Sequence, residues 1–315
     1  MKKILAAVLC LALCMSAACA CAANINFVTA GTASTFYPIS ATIVGLWNDA
    51  IAGMRAVATP SGGGIDNLNQ AYDGEAQIGI ANANLVYQAQ EGLASFEGYA
   101  NDNLRIFAGL YINPNQVVVT KESGVNSLAD LLGKRISIGA AGSTTVDEAS
   151  VHLGSMGKTL DDIKAEYMDT SAAADAMSNK LIDGVWIMAG TPNSAVTQIM
   201  TTTDSKLVPI TAQDVEVLKA DYPWYAACEI PAGTYAGQDE AVPTSGVKLT
   251  LFITADVDEE TVYQMTKVFW ENWDYLTETH GALKKADPKE ACNDVAGVAI
   301  HDGAARYYRE IGLMQ

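Results

Sequence analysis

Short apolar blocks recur along the chain and switch between two periods. Ile25, Phe27 and Val28 lead a strand over 25–30. Ile39, Ile43, Leu46 and Trp47 then fall at i, i+4, i+7 and i+8, one face of a helix over 38–52. Pro38 suits its first turn, where a missing backbone donor costs nothing. The pattern goes on to predict strand 54–58, helix 64–73, strand 77–81, helix 84–91 and strand 105–111, with Gly74 and Gly92 at helix C-caps. Such alternation implies a mostly parallel sheet with helices on both faces. Ligands then bind outside the carboxyl ends of the strands.

Asn113-Pro114-Asn115 interrupts this rhythm. The β-branched run Gln116–Thr120 is predicted to cross into a second lobe, where a similar α/β set follows. It comprises a short helix 128–132, strand 135–139, helix 145–156, strand 165–168, helix 171–179, strand 185–188, helix 192–200 and strand 207–209. Tyr222–Gly246 is rich in Pro, Gly and Tyr and shows little regular pattern. Strand 248–254 reads as the return crossing. A long amphipathic helix over 258–279 carries Val262, Met265, Phe269 and Trp273 on one face, and terminal helices are predicted at 288–296 and 302–311. The expected domains are 24–113 and 247–315 for the first lobe and 114–246 for the second. Two crossings make a hinge, and a hinged cleft can trap a ligand.

Five strand-to-helix connections are built from small residues: INFVTAGTASTFYP at Ile25–Pro38, VATPSGGG at Val57–Gly64, QIGIANAN at Gln77–Asn84, RISIGAAGSTTVDE at Arg135–Glu148 and VWIMAGTP at Val185–Pro192. Each aims backbone N–H groups and small hydroxyls at one spot, and the helix N-terminus adds about half a positive charge. Thr145 and Glu148 read as a capping box, and Thr191 as an N-cap followed by Pro192 at the first helical position.

Composition narrows the function. Half of the 315 residues are hydrophobic and 17% are charged, which is globular; the formal net charge of −17 argues against nucleic acid. Residues 1–23 read as a signal peptide: Lys2 and Lys3, the apolar run Ile4–Met15, then small residues. Simple cleavage at an A-x-A site is preferred over lipidation, because the Leu usual before a lipoprotein cysteine is missing. The expected compartment is the periplasm. Cys228 and Cys292 are the two cysteines of the body; they either pair or stay as separately buried thiols.

Catalytic signatures are missing. No His-Glu-x-x-His, G-x-S-x-G or strand-linked G-x-G-x-x-G occurs. His152, His280 and His301 read as surface or packing residues. The loop at Gly139–Thr145 lacks a P-loop lysine. Arg55, Arg105 and Arg135 lie away from the small-residue loops, and Arg306 and Arg309 on the last helix, so an anion must be held mainly by backbone N–H, Ser and Thr. No metal, cofactor or catalytic residue is expected. Tyr37, Tyr111 and Tyr225 are candidates for a pocket wall.

Taken together, TAGTASTFYPISATI, ATPSGGGIDNL, DGEAQIGIANANLVY, SLADLLGKRISIGAAGSTT, AGTPNSAV, YPWY, IPAGTYAGQDEAVPT and HDGAARYYREIG resemble the TAXI group of solute receptors for TRAP transporters, through nearly the whole mature chain. The resemblance implies an α/β fold of the type II periplasmic binding protein class, two α/β lobes with a hinged cleft. It implies no catalysis and delivery of solute to the membrane subunits of a TRAP permease, usually fused. The solutes implied are glutamate-like amino acids and dicarboxylates such as 2-oxoglutarate. It places ligand contacts at Gly31, Thr32, Ser34, Thr35, Phe36 and Tyr37; Ser61, Gly62 and Gly63; Asn82, Asn84 and Leu85; Gly142, Ser143, Thr144 and Thr145; and Ala189, Gly190 and Thr191. Two positions depart from the family's pattern: Ala81-Asn82 where Gln or Ser is usual, and Thr144 in place of a Gly. An exported two-lobed enzyme, a ligand sensor of the same fold and a surface antigen remain the competing readings.

Overall fold

The computed structural model describes residues 23–32 and 34–315. The expected signal peptide lies outside the described residues, apart from Ala23. The chain begins with β1 (Asn24–Val28), α1 (Phe36–Ala50), β2 (Arg55–Thr59), α2 (Gly64–Tyr72), β3 (Ile78–Asn82), α3 (Ala83–Glu91) and the long β4 (Leu104–Thr120). Then come β5 (Arg135–Ser137), α4 (Thr144–Ser155), β6 (Lys164–Glu166), α5 (Thr170–Ser178), β7 (Gly184–Met188), α6 (Ser194–Thr202), β8 (Ser205–Val208), α7 (Ala212–Asp221) and β9 (Ala226–Ile230). The long β10 (Val242–Thr254), α8 (Glu259–Glu271), α9 (Trp273–Thr279) and α10 (Asp302–Glu310) complete it.

The strands join in the order β2-β1-β3-β10-β4-β7-β5-β6, with β8 added to β4 and β9 to β10. β1, β2 and β3 run parallel, as do β5, β6 and β7, while β4 and β10 run antiparallel to their neighbours. The two long strands hold the halves together. β4 pairs with β10 from Leu104 to Pro114 and with β7 from Asn115 to Val119. β10 pairs with β9 from Val242 to Gly246 and with β3 from Leu249 to Ile253. Apolar clusters cover both faces of each half. One is built around Trp47, Phe107 and Phe269; another around Trp186, Leu153 and Val247. Trp47 is fully buried yet satisfied, its Nε1 donating to the Met265 carbonyl at 2.9 Å.

Several expectations are corrected. Strands 105–111 and 116–120 are one continuous strand: Pro114 stands where β4 changes partner, so its missing donor falls at a break in the ladder. Helix 258–279 is two helices, parted at Asn272. Of helix 288–296 only a turn at Pro288–Glu290 forms, and Asp294 and Ala296 take positive φ, which no helix accommodates. The expected loop 222–246 contains β9 and the start of β10. Helix α7 went unread, although Thr211 and Asp214 form a capping box: Thr211 Oγ1 accepts from Asp214 N at 3.2 Å, and Asp214 Oδ2 accepts from Thr211 N at 2.7 Å. Cys228 and Cys292 are both free.

Candidate functional site

A cavity of about 370 Å³ lies where the small-residue loops of the two halves face each other. From the first half come Thr29–Thr32 and Ser34–Phe36, Ser61–Gly64, and Ile80–Asn82 with Tyr111 and Asn113; from the second come Gly139, Ala140, Ser143–Thr145, Asp169–Ser171, Ile187–Gly190 and Asn193. The starts of α1, α2, α4 and α5 reach this wall, through Phe36, Gly64, Thr144 and Thr170. Four helix N-termini around one space favour negative charge there. Asp169 is the single charged side chain among the described lining residues, and it serves as the N-cap of α5, accepting from Ala172 N at 2.8 Å.

Several of these loops are tied from behind. Asn67, buried on α2, donates to the carbonyls of Thr29 and Ile80 at 2.6 and 2.8 Å and accepts from Ser61 Oγ at 2.6 Å. One amide thus sets the ends of β1 and β3 and the loop before α2. In the second half, Gln116 donates to the Ala189 carbonyl at 2.7 Å, while the Tyr235 hydroxyl donates to Gln116 Oε1 and accepts from Asn193 N at 2.9 Å. Tyr235 belongs to the IPAGTY run, which therefore acts by holding a loop of the cavity. Two glycines are dictated by closeness. A Cβ on Gly64 would stand 2.5 Å from Thr144 Oγ1, and one on Gly139, at φ +89°, would stand 2.4 Å from Ser143 Oγ. The loops of the two halves are thus in contact over the cavity.

Unused polar groups face inward. Ser143 Oγ and Asn113 Oδ1 are buried with no hydrogen-bond partner among the described residues. Asn113 Nδ2 donates to Asn82 Oδ1 at 3.3 Å, and Asn82 Nδ2 meets Met188 Sδ, a weak acceptor, at 2.8 Å. Burial holds the Tyr111 hydroxyl far above its ordinary pKa, so it stays neutral. No group of three or more His, Cys, Asp or Glu able to hold a metal occurs among the described residues.

The model of the NMT1-like family matches residues 27–312. The chain belongs to that family. Solved structures add the fold. A protein of Bordetella bronchiseptica RB50 is similar at 18% identity over 93% of this chain and 90% of that one, with a TM-score of 0.53. A putative L-cystine ABC transporter protein of Listeria monocytogenes is similar at 12% identity, covering 84% and 98%, with a TM-score of 0.54. PhnD1 of Prochlorococcus marinus, solved with methylphosphonate, is similar at 10% identity, covering 92% and 99%, with a TM-score of 0.53. The NMT1-like chain has the bilobed type II periplasmic-binding-protein architecture, with a mixed sheet and flanking helices.

Of the residues singled out from sequence, Gly31, Thr32, Ser34, Thr35, Phe36, Ser61, Gly62, Gly63, Asn82, Tyr111, Ser143, Thr144, Thr145, Ala189 and Gly190 line the cavity. Tyr37, Asn84, Leu85, Gly142 and Thr191 do not. Tyr37 lies one step past the wall on α1, with Phe36 in its place. Leu85 is fully buried in an apolar cluster, and Asn84 is buried beside it on α3. Thr191 is buried and its hydroxyl meets Lys285 Nζ. Nor is it a cap: α6 starts at Ser194, capped by Asn193, whose Oδ1 accepts from the N–H groups of Ala195 and Val196. The expected Thr145–Glu148 capping box is also absent, because the N-cap position of α4 is Ser143, two residues before Thr145. Thr145 Oγ1 accepts instead from Met188 N at 3.3 Å. Tyr225 is in the second core, away from the wall.

Sequence reasoning missed Thr29, Asn113, Asp169, Thr170, Ser171 and Asn193. The signal for Asp169–Ser171 was available: a short strand, an Asx/Ser/Thr cluster, then a helix, the same device as the other loops. Asn113 was read only as part of a break.

Proposed function

We propose that this NMT1-like protein is an extracytoplasmic solute receptor, similar to the TAXI receptors, that captures a small anionic solute and delivers it to a TRAP permease. The cavity between two lobes, ringed by helix N-termini and free hydroxyls, is the observation that carries the reading. The described lining has no Lys, Arg or His, so a carboxylate is held by N–H groups of the loops and by Ser143, Thr144 and their neighbours. Asn113 Oδ1 and Asp169 are acceptors for an ammonium group. Glutamate therefore fits the lining, and 2-oxoglutarate fits its anion-binding part. The lobes are 24–113 with 247–315, and 114–246; the protein works in the periplasm after loss of residues 1–23. No described helix is long and apolar enough to cross a membrane. A receptor for an ABC system is the competing assignment, since the similar Listeria structure carries that title.

A thermal-shift screen of amino acids and small carboxylates tests this. Saturation at about a hundredfold over Kd adds roughly 2.7 kcal/mol, a rise of several degrees in Tm for a chain of this size. At least one compound is expected to give that rise and to be recovered unchanged. Conversion of the hit would favour an enzyme, and no hit in either class would contradict an anion receptor.

A further inference from the structure

Three side chains on the cavity wall form one line of polar contacts. Asn82 ends β3, Asn113 lies on β4 and Met188 ends β7. β10 runs between the first two, with Leu249 opposite Asn82 and Val247 opposite Asn113. Met188 comes from the other half, where it pairs with Asn115, two residues past Asn113 on β4. All three line the cavity and are nevertheless deeply buried: Asn82 is 1% exposed, Asn113 6% and Met188 8%.

The direction of the line can be assigned. A thioether sulfur has no hydrogen to give, so the Asn82 atom that faces Met188 Sδ at 2.8 Å is the amide nitrogen. Asn82 Oδ1 therefore faces Asn113 and accepts from its Nδ2 at 3.3 Å. That leaves Asn113 Oδ1 as the free end, buried and with no partner among the described residues. Turning both amides over would put the Asn82 oxygen against the sulfur, acceptor facing acceptor. One sulfur of the opposite half thus decides that the line ends in a carbonyl oxygen. A solute that displaces water from this point must bring a donor of its own.

We propose that Asn113, oriented through Asn82 by Met188, reads the α-position of the solute: the cavity takes an α-amino acid, whose ammonium donates to Asn113 Oδ1, and rejects the α-keto acid of the same skeleton, whose carbonyl would meet a second acceptor there. The inference rests on the receptor reading above and decides between two solute types that the reading leaves open. Two features place an ammonium beside the carboxylate. Met188 N donates to Thr145 Oγ1 at 3.3 Å, so the line begins next to the start of α4, where the N–H groups and Ser143 favour an anion. The described lining carries one carboxylate, Asp169, and no Lys, Arg or His to oppose a cation. A keto acid leaves the buried oxygen of Asn113 unpaired, and a site built around such an acceptor discriminates by that loss.

Isothermal titration with matched pairs tests this: glutamate and 2-oxoglutarate, alanine and pyruvate, phenylalanine and phenylpyruvate. In any pair that binds, the wild type is expected to hold the amino acid at least about tenfold tighter than its keto acid. Asn113→Leu keeps the size and removes the acceptor, and the preference is expected to shrink toward equality. Met188→Leu conserves volume and releases the Asn82 amide to turn. It is expected to narrow the preference by tightening keto-acid binding, a gain that damage to the fold would not produce, and it keeps the test open if Asn113→Leu does not fold. Equal or tighter binding of the keto acid by the wild type, an undiminished preference in Asn113→Leu, or an unraised keto-acid affinity in Met188→Leu would each overturn the proposal and leave the receptor reading standing. Binding by no member of any pair would overturn it too, and the wider solute screen then decides whether the receptor reading falls with it.

Discussion

Ser143 shows how one side chain can be freed for a ligand. It stands at the N-cap position of α4, yet its hydroxyl makes no capping bond and has no other partner among the described residues. Removing it therefore costs the empty fold little. A hydrogen bond to a charged acceptor contributes roughly 1.5–3 kcal/mol, or about one to two orders of magnitude in Kd. Ser143→Ala and Thr144→Val are each expected to weaken anion binding at least about tenfold in isothermal titration, with Tm nearly unchanged. Wild-type affinity in both would reduce the loop to a turn. Asn193→Ala removes a real cap and is expected to cost about 1 kcal/mol, read as a lower Tm. At this scale the sequence was legible where composition decides, in the Gly, Ser and Thr of the loops. It was misleading where two residues of register decide, as between Thr191 and Asn193 or Ser143 and Thr145.

At the scale of elements, α2 and α4 meet across the cavity at Gly64 and Thr144. Gly64 is at the first position of a helix, where alanine is a good helix former. Gly64→Ala should press on Thr144 and hold the loops apart, while within its own half Leu85 Cδ1, 3.2 Å from the new methyl, has only to give by a few tenths of an ångström. Weaker solute binding by titration at an undiminished Tm is the expected pattern; unchanged affinity would show that the contact does not matter. Helix α4 also sets a pH dependence, because burial pushes its Glu148 up to about 8. The folded chain holds the Glu148 proton more tightly than the unfolded one, so this stabilisation is complete below the ordinary carboxylate range and is lost as pH rises through about 8. Asp147 acts in the same sense up to about pH 6. His152 acts oppositely, its contribution growing from pH 4 to 6.5. Only Glu148 remains between about 6.5 and 8, where Tm is expected to fall in the wild type and to stay flat in Glu148→Gln. A flat wild-type profile would place the proton elsewhere. None of this was legible from periodicity. The partners of Glu148, Asn115 and Tyr225, lie 33 and 77 residues away in sequence, and Asn115 finds Ser245 130 residues on. Likewise, the continuity of β4 through Pro114 follows from which neighbours it finds, and no local pattern contains that.

For the whole molecule, strand–helix alternation was enough to give two α/β halves and a cleft, because each parallel crossover has one sterically favoured hand. It also placed the small-residue loops at the carboxyl ends of their strands, which is where the cavity lies. What the pattern left unread was how the halves are joined, since β4 and β10 each serve both. The central claim is that a solute is trapped between the lobes. The most direct measurement is a crystal structure with the thermal-shift hit bound. The account expects that molecule inside the cavity, touching Ser143 or Thr144 of one lobe and the loops at Gly31–Phe36 or Ser61–Gly64 of the other. A hit bound on the outer surface, or to one lobe alone, would contradict it.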